Sequence, residues 1–258
     1  METVTSRDGT TIAFDRMGDG PPVVLVSGGS TDRQANAPLA DALASDFTVL
    51  NYDRRGRGPS GDTPPYAIER EIEDVDAVVG AAGGSAFLYG TSSGAVLALE
   101  AAAAGVAVDR LALWEPPYAI YDEAKPPLDQ VERYNEMLAE GRRGDMVEYF
   151  MRDVVRMPEE FVERAKEAPW WPAQEALAHT LPYDATIMGD YSIPADRAAS
   201  VKAPTLVLIG GASFPFIRQS AEALVGVLAD GRLRELEGQT HDVGAEPMAA
   251  ALREFFLD

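Results

Sequence analysis

The stretch Phe87-Leu88-Tyr89-Gly90-Thr91-Ser92-Ser93-Gly94-Ala95-Val96 decides the fold, because it joins an apolar run typical of a strand to an alanine-rich run typical of a helix. Its centre fits the pattern Gly-x-Ser-x-Gly, in which a serine leaves a strand and enters a helix within one residue. That turn strains the serine backbone and leaves room only for small residues two positions before and after it. Since a strand-like run precedes the motif and a helix-like run follows it, Ser92 is predicted to be an exposed nucleophile rather than part of an ordinary loop.

The base that would activate this serine can be sought directly, because the chain contains only two histidines. A serine hydroxyl is a weak nucleophile until a base takes its proton. His241 lies in a polar, glycine-bearing loop between the last strand-like run and the last helix-like run, where it can fold back over the edge of a sheet. His179 lies in a region of helices and loops, where a partly buried histidine without a catalytic role is the simpler interpretation. His241 is therefore the predicted base, with a capping residue in a surface loop as the alternative.

Short apolar runs and helical patterns alternate on both sides of the motif. A hairpin is expected from residues 2–6 and 11–17 around Asp8-Gly9. Further strands are predicted at residues 23–26, 47–52, 86–89, 111–114, 205–209 and 233–236. Helices are predicted at residues 38–44, 68–79, 95–104, 216–228 and 247–256. The sequence thus predicts an α/β fold with eight strands in a mostly parallel sheet, covered by helices on both faces.

Residues 118–200 interrupt this alternation, because they contain helix and loop patterns but no strand-like run. We expect a core formed by residues 1–117 and 201–258, with a helical insert at residues 118–200 after the sixth strand. The insert is rich in large side chains, which suggests an apolar or aromatic substrate pocket. For any one of them, packing between the helices of the insert is the simpler interpretation. They are Tyr118, Tyr121, Tyr149, Phe150, Trp170, Trp171, Tyr183 and Met188.

Composition excludes several classes of function. The 258 residues include 22 Lys and Arg against 42 Asp and Glu, a net charge of −20 that repels nucleic acids and anionic membranes. The absence of cysteine excludes disulfides, thiolate metal sites and cysteine nucleophiles. No apolar run approaches the roughly 20 residues of a membrane span, and no signal-peptide pattern is present. We therefore expect a cytoplasmic protein, monomeric or homodimeric, that acts on a small molecule without a cofactor or metal.

Four motifs together resemble those of the α/β-hydrolase superfamily. They are the turn Ser27-Gly28-Gly29, the loop Tyr52-Asp53-Arg54-Arg55-Gly56-Arg57-Gly58-Pro59-Ser60, the Gly-x-Ser-x-Gly motif and the Gly-x-x-His sequence at residues 238–241. The similarity covers the predicted core, and the insert would correspond to the helical cap of the family. The resemblance implies a serine hydrolase in which the backbone amides of Gly29 and Ser93 form the oxyanion hole. It also implies that the charged residues Asp53, Arg54 and Arg55 brace the core.

The acid that would orient the base departs from the usual arrangement of that superfamily. Members usually carry an aspartate shortly after the strand that follows the cap, but Ser213 occupies that position here. Some relatives, among them certain haloalkane dehalogenases, carry the acid at the end of the strand that follows the helix after the Gly-x-Ser-x-Gly motif. In this chain that position is Glu115. A buried glutamate needs a partner, and a cationic histidine supplies one. Glu115 is the predicted acid; a salt-bridged residue at the rim is the alternative role, and Asp242 is a weaker candidate.

Together these residues predict a serine hydrolase that cleaves a carboxylic ester, thioester or lactone of a small apolar molecule through an acyl-enzyme. Its catalytic residues would be Ser92, His241 and Glu115. The alternative is a ligand-binding or non-hydrolytic protein of the same fold with weak or no turnover, and the missing aspartate at position 213 favours it. Ser92 excludes those relatives that need an aspartate nucleophile at this point. The sequence does not separate an esterase from a C–C bond hydrolase, acyltransferase, perhydrolase or lyase.

Overall fold

A computed structural model describes residues 1–258, and a single eight-stranded sheet runs through it. The strands are β1 (Glu2–Thr5), β2 (Thr11–Met17), β3 (Pro22–Val26), β4 (Thr48–Tyr52), β5 (Ala86–Thr91), β6 (Val108–Trp114), β7 (Thr205–Gly210) and β8 (Gly231–Leu236). Their spatial order is β1-β2-β4-β3-β5-β6-β7-β8. β2 pairs antiparallel with β1 and β4, and all the remaining pairs are parallel. The predicted mostly parallel sheet is therefore confirmed.

Eleven α-helices accompany the sheet. They are α1 (Ala37–Leu43), α2 (Ile68–Ala81), α3 (Ser93–Ala103), α4 (Gln130–Ala139), α5 (Arg143–Tyr149), α6 (Glu159–Lys166), α7 (Trp171–Leu177), α8 (Leu181–Met188), α9 (Ala195–Ser200), α10 (Pro215–Val227) and α11 (Ala245–Leu257). Helices α4 to α9 lie between β6 and β7, which confirms a helical insertion after the sixth strand. None of these helices combines the length and the apolar character needed to cross a membrane.

The sheet is buried on both faces, which explains why its central strands read as continuous apolar runs. In β3, Val24 and Val26 point into the core beneath α2, α3 and α10, whereas Val23 and Leu25 point into the core beneath α1 and α11. Successive side chains of a strand alternate between faces, so both faces of β3 need apolar residues. The helices stabilise the sheet by removing this apolar surface from water.

The helical insert has an apolar core of its own, formed by residues of α4 to α8 that include Tyr134, Met146 and Leu181. Helices α8 and α9 also pack against α3, the helix that follows the serine motif. The insert therefore covers the carboxyl end of β5. That residues 118–200 form a separate unit stays a prediction.

The observed elements differ from the predicted ones mainly at their ends. β6 begins at Val108 instead of residue 111, because Asp109 and Arg110 interrupt the apolar pattern without interrupting the strand. β8 begins at Gly231 and is an edge strand, so arginines on it reach solvent. β5 continues to Thr91 and α3 begins at Ser93. Only Ser92 therefore separates the strand from the helix.

Candidate active site

Ser92 lies at the turn between β5 and α3 with a backbone φ of 55° and ψ of −125°, a conformation that costs a non-glycine residue energy. Its amide donates to the carbonyl of Trp114 at 2.9 Å, which ties the turn to β6. A Cβ at Gly90 would overlap the backbone of α3, and a Cβ at Gly94 would overlap the backbone of β3. The glycines thus allow the close approach that holds the serine in its strained conformation.

His241 is paired with a buried carboxylate. Its Nδ1 lies 2.6 Å from Oε2 of Glu115. The indole Nε1 of Trp114 donates to the carbonyl of His241 at 2.9 Å, so adjacent residues at the end of β6 hold both the main chain and the ring of the histidine. The imidazole itself is only partly buried. The ring is therefore held at Nδ1, and the side chain as a whole stays partly exposed.

Glu115 is fully buried and accepts hydrogen bonds at both carboxylate oxygens. The amide of Gly210 donates to Oε1 at 2.8 Å, and the hydroxyl of Ser213 donates to Oε2 at 2.8 Å. These donors and His241 satisfy a charge that would otherwise be costly to bury. Ser213, at the position where an aspartate was expected, thus contacts the carboxylate that His241 uses.

Two cavities meet at Ser92 and His241, and both residues line each of them. The small cavity has a volume of about 140 Å³ and lies beneath the insert; its wall includes Ser93, Tyr134 and Asp184. The large cavity has a volume of about 460 Å³ and extends towards α1 and α11. No hydrogen bond joins the Ser92 hydroxyl to His241. In enzymes without bound substrate, hydrogen bonds between a nucleophile and its base are often long and tighten only when substrate binds.

The amides predicted to bind an oxyanion lie beside the serine. Ser93 is the first residue of α3, where a backbone amide has no partner within the helix and the helix dipole favours negative charge. The amide of Gly29 donates to no backbone carbonyl. Both residues line the small cavity together with Ser92. Two free amides thus flank Ser92.

The eight large side chains noted in the insert contribute little to the small cavity, because only Phe150 and Met188 line it. Trp171 packs in the core of the insert, and Tyr183 stacks on Tyr66. The simpler interpretation, packing within the protein, therefore holds for most of them. Tyr134 and Tyr191, which the sequence analysis did not single out, line the cavity instead.

The remaining candidates lie apart from this site. Nδ1 of His179 lies 3.0 Å from the carbonyl of Ala176 and 3.3 Å from Arg143, within the insert, and it lines neither cavity. Asp242 is exposed, and Glu115 rather than Asp242 contacts the ring of His241. No group of three or more histidine, aspartate or glutamate side chains is arranged to hold a metal ion.

Asp184, on α8 of the insert, is a site residue that sequence reasoning missed. Its Oδ1 accepts from Ser93 Oγ at 2.8 Å, from Arg54 Nη1 at 2.8 Å and from Arg57 Nη2 at 2.9 Å. Arg54 also pairs with the buried Glu71 at 2.7 Å. Arg54 was predicted only to brace the core, but it also joins the core to the insert beside the turn at Ser92. A lone carboxylate within the apolar sequence of α8 was the signal that could have identified this role.

The charge of Asp184 is stabilised by its two arginines. Burial raises the pKa of its carboxyl, but Arg57 and Arg54 outweigh that effect and hold the pKa below the ordinary value. A lowered folded-state pKa means that this stabilisation is complete above about pH 4 and is lost as the pH falls through the folded-state pKa. The link between insert and core therefore persists at neutral pH.

We expect Asp184→Asn to lower the free energy of unfolding by about 3 kcal/mol, because it leaves the buried guanidinium of Arg57 without a counter-charge and leaves Arg54 with Glu71 alone. Equilibrium denaturation in urea measures this change. Asp129→Asn is the matched control: it removes an exposed partner of Arg133 and is expected to cost less than about 0.5 kcal/mol. Equal effects of the two substitutions would contradict the assigned role of Asp184.

Comparison with known proteins identifies the family to which this fold belongs. Residues 23–254 match the pattern of the "Alpha/beta hydrolase family". The crystal structure of an alpha/beta hydrolase from Sphaerobacter thermophilus DSM 20745 is 54% identical, with 99% of this chain and 100% of that chain covered and a TM-score of 0.94. A thermophilic esterase from Thermogutta terrifontis shares the fold at 23% identity, with coverage of 99% and 97% and a TM-score of 0.77.

A more distant curated relative is the "Uncharacterized hydrolase YraK" of Bacillus subtilis (strain 168). It is 27% identical over 148 residues, which make up 56% of this chain and 55% of that protein. The match thus spans about half the length of the curated relative. The match to the family pattern, in contrast, includes both parts of the core and the insert between them. The resemblance inferred from the four motifs is confirmed, and the chain belongs to the alpha/beta hydrolase family.

Proposed function

We propose that the protein is a serine hydrolase that cleaves a carboxylic ester, thioester or lactone of a small molecule through an acyl-enzyme on Ser92. The observation that carries the proposal is the 2.6 Å contact between His241 and the buried Glu115, made beside a strained serine in the same cavity. A base with a fixed ring and an accessible second nitrogen is the arrangement that serine activation requires.

In the first step, Nε2 of His241 takes the proton of Ser92 while the serine oxygen attacks the substrate carbonyl. The amides of Gly29 and Ser93 bind the negative oxygen of the tetrahedral intermediate. The intermediate collapses as the bond from the acyl carbon to the leaving oxygen or sulfur breaks, and that atom takes the proton from His241; an alcohol or thiol then departs, whereas the opened ring of a lactone keeps its new hydroxyl on the acyl group. Water then attacks the acyl-enzyme with His241 again as base, and Ser92 is released with the acid product. Glu115 stabilises the imidazolium in both steps.

Residues 118–200 act in this proposal as a cap over the site. Asp184 fixes α8 to the elbow through Ser93, and the cap side chains close the small cavity on the side away from the sheet. Exclusion of water strengthens the hydrogen bonds to the oxyanion. The cap therefore supports the chemistry as well as the selection of substrate.

A binding protein with the same fold but negligible turnover is the second candidate. The lack of a carboxylate at position 213 was the observation that favoured it. That observation no longer favours binding alone, because Oε2 of Glu115 contacts His241 and also accepts a hydrogen bond from the hydroxyl of Ser213. The geometry therefore supports turnover over binding alone.

Labelling with a fluorophosphonate tests the proposal. The probe should attach to Ser92 with loss of fluoride, because only an activated serine displaces fluoride rapidly. Digestion and mass spectrometry of the peptide that contains Ser92 and Ser93 locate the adduct, and labelling of acid-unfolded protein is the control. No adduct on the folded protein, or an adduct confined to Ser93, would contradict the mechanism.

A further inference from the structure

The small cavity contains a buried polar group that the protein leaves without a partner. Tyr134, on α4, is 1% exposed, and its hydroxyl makes no hydrogen bond within the protein. A buried polar group without a partner costs about 1–3 kcal/mol. Four other tyrosines also have buried hydroxyls without partners, but none of them lines the cavity that contains Ser92. They are Tyr52, Tyr66, Tyr118 and Tyr149.

Tyr134 lines the small cavity, and its hydroxyl is buried in the cavity wall. Burial raises the pKa of Tyr134, and the next causes are its neighbours Tyr191, Tyr149 and Asp184. Tyr191 and Asp184 both line the small cavity. Because its pKa is raised, the phenol stays protonated at every working pH. Tyr134 therefore supplies a protonated hydrogen-bond donor in the wall of the cavity that Ser92 also lines.

Apart from the groups proposed for catalysis, the other polar side chains of the cavity wall are already engaged. The hydroxyl of Tyr191 donates to Oε1 of Gln130 at 3.1 Å, and Nε2 of Gln130 donates to the carbonyl of Pro127 at 2.7 Å. Asp184 is held by its two arginines and by Ser93. Tyr134 is consequently the side-chain donor, outside the groups proposed for catalysis, that remains for a ligand.

The cavity offers no buried cation to an acidic group of a substrate. Arg54 and Arg57 are balanced by Glu71 and Asp184. The arginine that lines the cavity, Arg156, is exposed, and its guanidinium donates to the carbonyls of residues 123 and 125. A carboxylate placed beside Tyr134 would therefore find no buried counter-charge, which makes its burial costly. An uncharged oxygen is the matching acceptor.

The size of the cavity limits the group that enters. Its volume of about 140 Å³ is close to the roughly 150 Å³ of an engineered protein cavity that binds benzene. The acyl group stays on Ser92 after the first step, whereas the leaving group must depart through open space. The large cavity, which is lined in part by the exposed Asp242 and Gly244, suits departure.

We propose that the small cavity is the acyl pocket and that it selects a small, uncharged acyl group carrying an oxygen that accepts a hydrogen bond from Tyr134. Ether, ketone and hydroxyl oxygens meet this requirement. This inference rests on the proposed function, because it assigns the acyl side of that reaction. It makes Tyr134 a specificity-determining residue in the cap.

Matched esters that differ by one atom test the proposal. In nitrophenyl ethoxyacetate and nitrophenyl 3-methoxypropanoate, oxygen replaces one methylene of nitrophenyl pentanoate. The ratio of kcat/KM for each oxygen ester to that for the pentanoate is measured in the wild type and in Tyr134→Phe, so that the intrinsic reactivity of the ester cancels. We expect at least one ratio to fall about three- to tenfold in the variant.

Tyr149→Phe is the matched control. Tyr149 packs edge-on against Tyr134 with ring centroids 5.3 Å apart, and its hydroxyl is also buried without a partner, but it does not line the cavity. This variant should keep the wild-type ratios. In addition, the urea midpoint of Tyr134→Phe should equal or exceed that of the wild type, because no hydrogen bond within the free protein is lost. A lower midpoint would overturn the proposal.

A binding experiment with amides that cannot be hydrolysed as esters separates this inference from the proposed function. Ethoxyacetamide, 3-methoxypropanamide and pentanamide, which lack the activated ester, are titrated into both proteins and followed by NMR. A preference for an oxygen amide that disappears in Tyr134→Phe supports the acyl pocket, even if the esters are not cleaved and the proposed function fails. Ester cleavage with ratios that are equal in the two proteins overturns the acyl pocket and leaves the proposed function intact.

Discussion

Ser92→Ala is expected to lower kcat for hydrolysis of nitrophenyl acetate by about 10⁴- to 10⁶-fold, because it removes the atom that attacks the carbonyl. The substitution deletes one oxygen at a turn whose sterics are set by Gly90 and Gly94, so the fold should be kept. Steady-state kinetics measure the loss, and circular dichroism verifies the fold. The residual rate over water would come from the oxyanion amides and from substrate binding.

Ser93→Ala is the matched control for this prediction, since the two serines are adjacent. It removes the hydrogen bond to Asp184 but keeps the backbone amide that is proposed to bind the oxyanion. We expect a decrease of less than about tenfold, the size of one lost hydrogen bond. A larger effect at Ser93 than at Ser92 would overturn the assignment of the nucleophile.

Glu115→Gln is expected to lower kcat by about 10⁴-fold, comparable to the loss when the acid of a serine triad becomes an amide. The structure determines how the new amide must lie. The backbone N–H of Gly210 can only donate, so the glutamine oxygen takes the place of Oε1 and its NH₂ group takes the place of Oε2. The NH₂ group then faces Nδ1 of His241.

That orientation forces Nδ1 of His241 to accept a hydrogen bond, and the ring proton moves to Nε2. A ring protonated at Nε2 cannot take the proton of Ser92, so the loss should be in kcat more than in KM. Steady-state kinetics of Glu115→Gln and Asp242→Asn, side by side, measure the effect. The exposed Asp242 does not contact the ring, and its variant should stay within about threefold of the wild type.

The opposite pattern would contradict the assignment of the acid. A loss of less than tenfold in folded Glu115→Gln, together with a large loss in Asp242→Asn, would identify Asp242 as the acid. Thermal unfolding of both variants shows whether they are folded. A buried carboxylate held by three hydrogen bonds also contributes to stability, so a lower melting temperature of Glu115→Gln is expected alongside the kinetic loss.

Much of the fold could be predicted because its signals are local. Buried parallel strands need apolar residues on both faces, and the turn at Ser92 needs glycines at fixed positions. The strand ends were less certain, since polar residues such as Asp109 continue a strand that the apolar pattern ends. The candidate base followed from the presence of only two histidines, and its catalytic role stays a prediction.

The sequence by itself therefore determined the α/β class with a mostly parallel sheet, the turn at Ser92 and the residue types available for a site, because these depend on short-range sterics and on the alternating burial of neighbouring residues. Only the tertiary structure decided that Asp184 meets Arg54 and Ser93, that Ser213 supports Glu115, and that Tyr134 remains without a partner. These contacts join segments up to 130 positions apart. No local pattern specifies such partners, since the choice of partner depends on how distant helices pack over the sheet.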